Sequence, residues 1–99
     1  MATYVTLLNF TDQGIRSVRE TTKRGKAFRE MAEKNGAKVR DLFWTLGKHD
    51  LVCVMDAPND EAATSLMLAV GAMGNVHSQT LRAFSSDEMD SILAKLPKT

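Results

Sequence analysis

Residues 3–10, Thr-Tyr-Val-Thr-Leu-Leu-Asn-Phe, combine aromatic and β-branched side chains in the way a strand does, and the turn-prone Thr11-Asp12-Gln13-Gly14 closes the run. Thr11 or Asp12 can then cap a helix, because a side-chain oxygen there accepts from the free amides of the first turn. Ile15 and Val18 share one helical face, but Phe28, Met31 and Ala32 fall out of phase with them by roughly a third of a turn. The phase slip predicts a break near Thr21-Thr22, a second helical segment capped by Thr22 that runs to about Asn35, and a stop at Gly36. From Ala37 to Leu46 the period returns to two, with Val39 and Phe43 alternating against Leu42, Trp44 and Leu46. Gly47-Lys48-His49-Asp50 supplies a turn, and Leu51 to Met55 follows as a nearly unbroken apolar strand of the kind covered on both faces. Pro58-Asn59-Asp60-Glu61 opens a helix with an Asn cap and acidic residues where the helix dipole favours them. Its broad apolar stripe ends at Gly74-Asn75, Val76 to Phe84 makes a fourth strand, and Ser85 with Glu88 has the spacing of a capping box for a last helix carrying Met89, Ile92, Leu93 and Leu96.

The order β-α-β-β-α-β-α predicts an α+β protein of one domain, residues 1–99, with the split β-α-β arrangement of a ferredoxin-like, antiparallel four-stranded sheet and its helices on one face. Counting side-chain directions carries the argument further. Tyr4, Leu8 and Phe10 point one way and Val5 and Leu7 the other, while Leu51, Cys53 and Met55 oppose Val52 and Val54. Both faces are apolar, yet the helices of one chain cover only one. A second copy over the open face is the economical solution, so a homodimer, or a higher oligomer built from it, is the expected partner state.

Composition excludes more than it selects. The net charge of +1 points to no partner, but residues 16–40 hold nine Lys/Arg against three Glu, and the remainder holds four Lys/Arg against nine Asp/Glu. Such polarity draws an anionic ligand to one side or lets two copies associate by unlike faces. The basic set Arg16, Arg19, Lys23, Arg24, Lys26 and Arg29 lacks interleaved aromatics and is broken by Glu20, so nucleic-acid binding is not expected. No apolar run reaches the ~20 residues of a membrane helix, and the opening residues have no basic leader, so neither membrane nor secretion is expected. A lone Cys53 within an apolar strand suits the reducing cytoplasm.

Four stretches together resemble the GYD-domain family of small bacterial and archaeal proteins: Asn9 to Ile15, Thr45 to Val52, Ala57 to Ala63, and Gly74-Asn75-Val76 with Thr80 to Phe84. The family's turn has a Gly, a variable residue, a Tyr and an Asp; Gly47, Lys48 and Asp50 fit, and His49 stands at the Tyr position. The resemblance implies a dimeric α+β barrel and no particular activity.

Candidate ligand-binding residues are the polar and aromatic groups placed among apolar strands and at turns: Tyr4, Asn9, Arg24, Trp44, His49, Asp50, His77 and Arg82. Gly47 and Asp50 also have a purely structural reading as turn residues. His49 next to Asp50 offers a pair in which the carboxylate stabilises the imidazolium, provided the turn bends the two together. Arg24, at the start of the second helical segment, can reach an anion beside free helix amides or form a surface ion pair. The spacings of His49, His77 and Cys53 match no metal pattern, and no metal or cofactor is expected. Cys53 reads as a small core residue, and Met67 and Met73 as core filling. The leading functional expectation is a homodimeric binding or regulatory module holding a small anionic or aromatic molecule in the barrel or interface. The alternatives are a cofactor-independent oxygenase or isomerase, by fold analogy, and a structural oligomerisation unit.

Overall fold

Strand β1 (Ala2–Phe10) buries Tyr4, Thr6 and Leu8 on one side and leaves Val5 and Leu7 half-buried on the other. The computed structural model describes residues 1–98, with elements in the order β1, α1 (Asp12–Arg16), a 3-10 turn (Val18–Glu20), α2 (Thr21–Lys34), β2 (Lys38–Trp44), β3 (Leu51–Ala57), α3 (Asp60–Ala72), β4 (Val76–Ala83) and α4 (Ser86–Ala94). The strands form one sheet in the order β2-β3-β1-β4, each neighbouring pair antiparallel. The protein is therefore α+β with the ferredoxin-like arrangement that the order of elements predicts.

The register fixes two faces. Tyr4 lies opposite Met55, Thr6 opposite Cys53 and Leu8 opposite Leu51, and these side chains meet α2 and α3 in a core that also holds Ala32, Val39, Ala63, Leu66 and Met67. On the other face Val5 pairs with Val54 and Leu7 with Val52, flanked by Phe43 and Leu81, which are 57% and 44% exposed. Among the described residues no helix covers that second face.

Helix ends follow the local chemistry. Thr11 caps α1 by accepting from Gly14 N at 3.0 Å, Asn59 caps α3 through Ala62 N at 2.8 Å, and Ser85 and Glu88 close a reciprocal capping box on α4. Gly36 and Gly74 stop α2 and α3 with φ of 78° and 84°, a conformation that costs glycine little.

Several features differ from the sequence expectation. The break before α2 is a 3-10 turn that runs directly into Thr21; the cap position is Glu20, without a side-chain cap bond, and Thr22 lies inside the helix. β2 is shorter than Ala37 to Leu46, and Leu46 is fully exposed beyond it. Val39 and Phe43 do not share a face: a bulge between Val39 and Asp41 inserts Arg40 and turns Phe43 to the open face, opposite Val52, while Val39, Leu42 and Trp44 face the helices. Met73 and Met89, at 57% and 43% exposed, lie outside the core that Met55 and Met67 help to fill.

Candidate functional site

Between α2, α3 and the sheet lies a cavity of about 210 Å³. Leu8, Phe10, Leu51 and Cys53 form its floor on the sheet, Phe28 and Met31 come from α2, and Met67 and Val70 from α3. Thr21, Arg24, Cys53 and Asn75 are the polar residues of its lining. Gly25, also in the lining, lies so close to β2 that a Cβ there would sit 3.1 Å from Leu42 Cδ2 and 3.3 Å from Trp44 Cη2, so α2 rests on β2 at this edge of the cavity.

The cavity is chemically quiet. Cys53 is 1% exposed, and burial pushes its thiol up from 9.0 to about 11, with Arg29 opposing weakly, so it is a neutral thiol at physiological pH. Because the folded-state value is the higher one, this thiol contributes stability that is fully present below about pH 9 and lost as pH rises through about 11. The urea midpoint of the wild type is expected to fall between pH 9 and 11 more steeply than that of Cys53→Val, by the equivalent of about 2 kcal/mol. Equal pH profiles would show that burial does not hold the proton.

The candidates read from the sequence fall in three places. At the cavity rim, Arg24 donates to Ser17 O and Oγ, each at 3.1 Å, and to Gly14 O at 3.3 Å. Among the described residues it makes no ion pair; it ties the end of α1 to α2, a cation against terminal carbonyls. Trp44 packs against Gly25 and donates Nε1 to Thr21 Oγ1 at 3.0 Å, pinning β2 to the start of α2.

At the hairpin end of the sheet, Asn9, His49, Asp50 and His77 come near one another. Asp50 Oδ2 accepts from Phe10 N at 2.9 Å while its own N–H donates to Leu8 O at 2.9 Å, so it extends the ladder at the end of β1. His49 turns to Asn9 and not to Asp50. Asn9 Nδ2 donates to Lys48 O at 2.7 Å, which leaves Oδ1 to accept from His49 Nδ1 at 3.1 Å. His77 lies opposite Asn9 in the β1–β4 register and is exposed on the open face.

At the other end, Tyr4 and Arg82 meet in a shallow groove of mixed polar and apolar lining between α3 and β4. The Tyr4 hydroxyl donates to Asp60 Oδ1 at 2.5 Å, and that bond, helped by burial and the Asp60 charge and opposed by Arg82, raises the phenol pKa. The Arg82 guanidinium lies 4.6 Å from the Phe84 ring centre and reaches Glu88 at 3.3 Å. The Ser85 backbone amide and then Arg82 lower the Glu88 pKa. Thr6 and Thr80 satisfy each other across the strands at 3.1 Å. These contacts link β1, β4 and both flanking helices, and Asp60 and Glu88 are their carboxylate partners. In the sequence Asp60 stood out only as an acidic residue in a helix's first turn, and Glu88 only as the second member of a capping box, so neither pointed to Tyr4 or Arg82.

The eight candidates therefore do not form one site, and the cavity is made mainly by apolar residues that sequence reading assigns to the core. Among the described residues no group of three or more His, Cys, Asp or Glu is gathered where a metal could be held, and no helix is long and apolar enough to cross a membrane. Among curated proteins none matches the chain. The family model of the GYD domain matches residues 4–93, so the ferredoxin-like sheet, its two covering helices and most of α4 lie within a single family unit, and the chain belongs to the GYD domain family.

Proposed function

We propose that the protein is a homodimeric module that binds a small apolar molecule, an aromatic one foremost, in the cavity between α2, α3 and the sheet. The cavity carries this reading. Apolar side chains line about 210 Å³ of space there without filling it, so the groups around it lack contacts on one side. An occupant recovers the lost contacts, and an apolar cavity of ~150 Å³ is already enough to take up benzene. The lining favours an apolar guest over an anion, because it is mainly apolar and its one cation, Arg24, already donates to Ser17 O, Ser17 Oγ and Gly14 O. Its only thiol is protonated, and its lining holds no carboxylate or imidazole, so retention of the guest fits better than reaction on it. A reducing compartment, the cytoplasm, suits the free Cys53. The dimer rests on the uncovered sheet face, where Val5, Leu7, Val52, Val54, Phe43 and Leu81 form an apolar surface that a second copy covers.

The test is native mass spectrometry of freshly purified protein, with solvent extraction of the same sample. A dimer that releases a stoichiometric apolar compound supports the reading, and a bare monomer contradicts it. Val70→Phe supplies the control, since Val70 lines the cavity and is half-buried. A phenyl ring there is expected to lower guest affinity at least tenfold while changing stability by less than ~1.5 kcal/mol, as volume-filling changes in roomy sites do. Unchanged affinity would place the guest elsewhere.

A further inference from the structure

We propose that α4 is a docking arm that packs on a second copy of this chain, beside that copy's β2; the inference rests on the sheet-face dimer proposed above. Three observations carry it. First, α4 makes no extensive contact with any other element among the described residues. The radius of gyration of 15.3 Å and the long axis of 53 Å exceed what a packed chain of this length gives, a radius of about 13 Å. Second, Met89, Ile92, Leu93 and Leu96 follow the i, i+3, i+4, i+7 pattern of a buried stripe, yet they are 43%, 42%, 51% and 67% exposed. A helix of nine residues is below the ~12–15 at which isolated helices become even marginal in water, so packing must hold it.

Third, area and charge select the occupant. Four strands ~4.8 Å apart and ~27 Å long offer a face of about 500 Å², short of the ~800 Å² per partner of a standard interface. One face of α4 on each copy makes up most of the difference. Two axes stack this sheet on its copy with the strands aligned. An axis across the strands sets β4 on β4, and an axis along them sets edge β4 over the partner copy's edge β2. Charge favours the second: α4 follows β4 directly and is acidic in its first half, through Asp87 and Asp90 with Glu88 held by Arg82, whereas β2 sets Lys38 and Arg40, the latter paired with Asp56, against the single carboxylate of Asp41 and lies next to the basic α2.

The experiment uses full-length protein in two forms. Light and heavy-nitrogen copies are mixed, allowed to exchange and treated with a zero-length carbodiimide; links from Asp87 or Asp90 to Lys38 between a light and a heavy copy are expected. Links confined to single copies would overturn the inference. Sedimentation of Ile92→Asp/Leu93→Asp, whose altered positions are exposed in one chain and do not touch the core, is expected to show a dimer dissociation constant raised at least ~100-fold. A dimer of unchanged affinity would overturn the role of α4 and leave the sheet-face dimer standing. A wild type that is monomeric at micromolar concentration would overturn both.

Discussion

Replacing Gly14 with alanine is expected to destabilise the fold by at least ~3 kcal/mol, since its methyl group would make the closest approach of any at the glycines. A Cβ at Gly14 would stand 1.9 Å from Asn75 O and 2.9 Å from Asn75 C, and these are backbone atoms that no rotamer change moves aside. Relief requires α1 to lift away from the loop after α3. That motion breaks the bonds from Thr11 N to Asn75 O at 3.1 Å and from Thr11 Oγ1 to Gly74 O at 2.6 Å, and those from Gln13 Nε2 to Met73 O and Asn75 Oδ1. The helical preference for alanine returns only about 1 kcal/mol. A thermal melt followed by far-UV circular dichroism should fall by about 12–24 °C for a chain of this size. Gly71→Ala is the matched control: nothing lies within 4 Å of its Cβ position, and the substitution is expected to leave stability unchanged or raise it by up to ~1 kcal/mol. Equal melting points for the two variants would contradict the close packing of α1 on that loop.

The second large effect concerns assembly. Val5→Asp is expected to raise the dimer dissociation constant at least ~100-fold, equivalent to about 2.7 kcal/mol. Val5 lies on a central strand, paired with Val54 on one side and Leu81 on the other, on the face that no helix covers. In a single chain an aspartate there still reaches water, so the fold loses only ~1 kcal/mol of strand preference. Between two apolar sheets the same carboxylate is desolvated without a partner, which costs several kcal/mol. Sedimentation of the variant next to circular dichroism separates loss of assembly from loss of fold. A folded Val5→Asp protein that dimerises as tightly as the wild type would remove the sheet face from the interface.

Much of this architecture is written in local patterns. Strand β1 and strand β3 announce their faces because their alternation is uninterrupted, and Asn59, Ser85 and Glu88 announce helix starts because capping is a contact within four residues. The bulge at Arg40 was not legible. It follows from how β2 pairs with β3, and no glycine or proline marks it in the sequence, so alternation alone assigned Val39 and Phe43 to one face. The 3-10 turn before α2 was seen only as a phase slip, since Ser17 is held by Arg24, seven residues on.

The functional residues were less legible for a physical reason. Polar residues in apolar strands signal a need for a partner, and here the partners are other protein groups: Asp60 for Tyr4, Lys48 O and His49 for Asn9, Thr21 for Trp44. A cavity has no such signal, because the side chains around a space are the same types as those that fill one. Leu8, Phe28, Cys53 and Val70 read as core, and the 210 Å³ they surround depends on the separation of two helices.

That cavity is the centre of the account, and its methionines report on it directly. Met31, Met67 and Met73 line the space, whereas Met1, Met55 and Met89 do not. Methyl-labelled methionine spectra recorded while naphthalene-sized aromatics are added should show saturable shifts at Met31 and Met67, unchanged resonances at Met1 and Met89, and loss of the response in Val70→Phe. Shifts confined to Met1 and Met89, or none that saturate, would contradict a ligand cavity between the helices and the sheet.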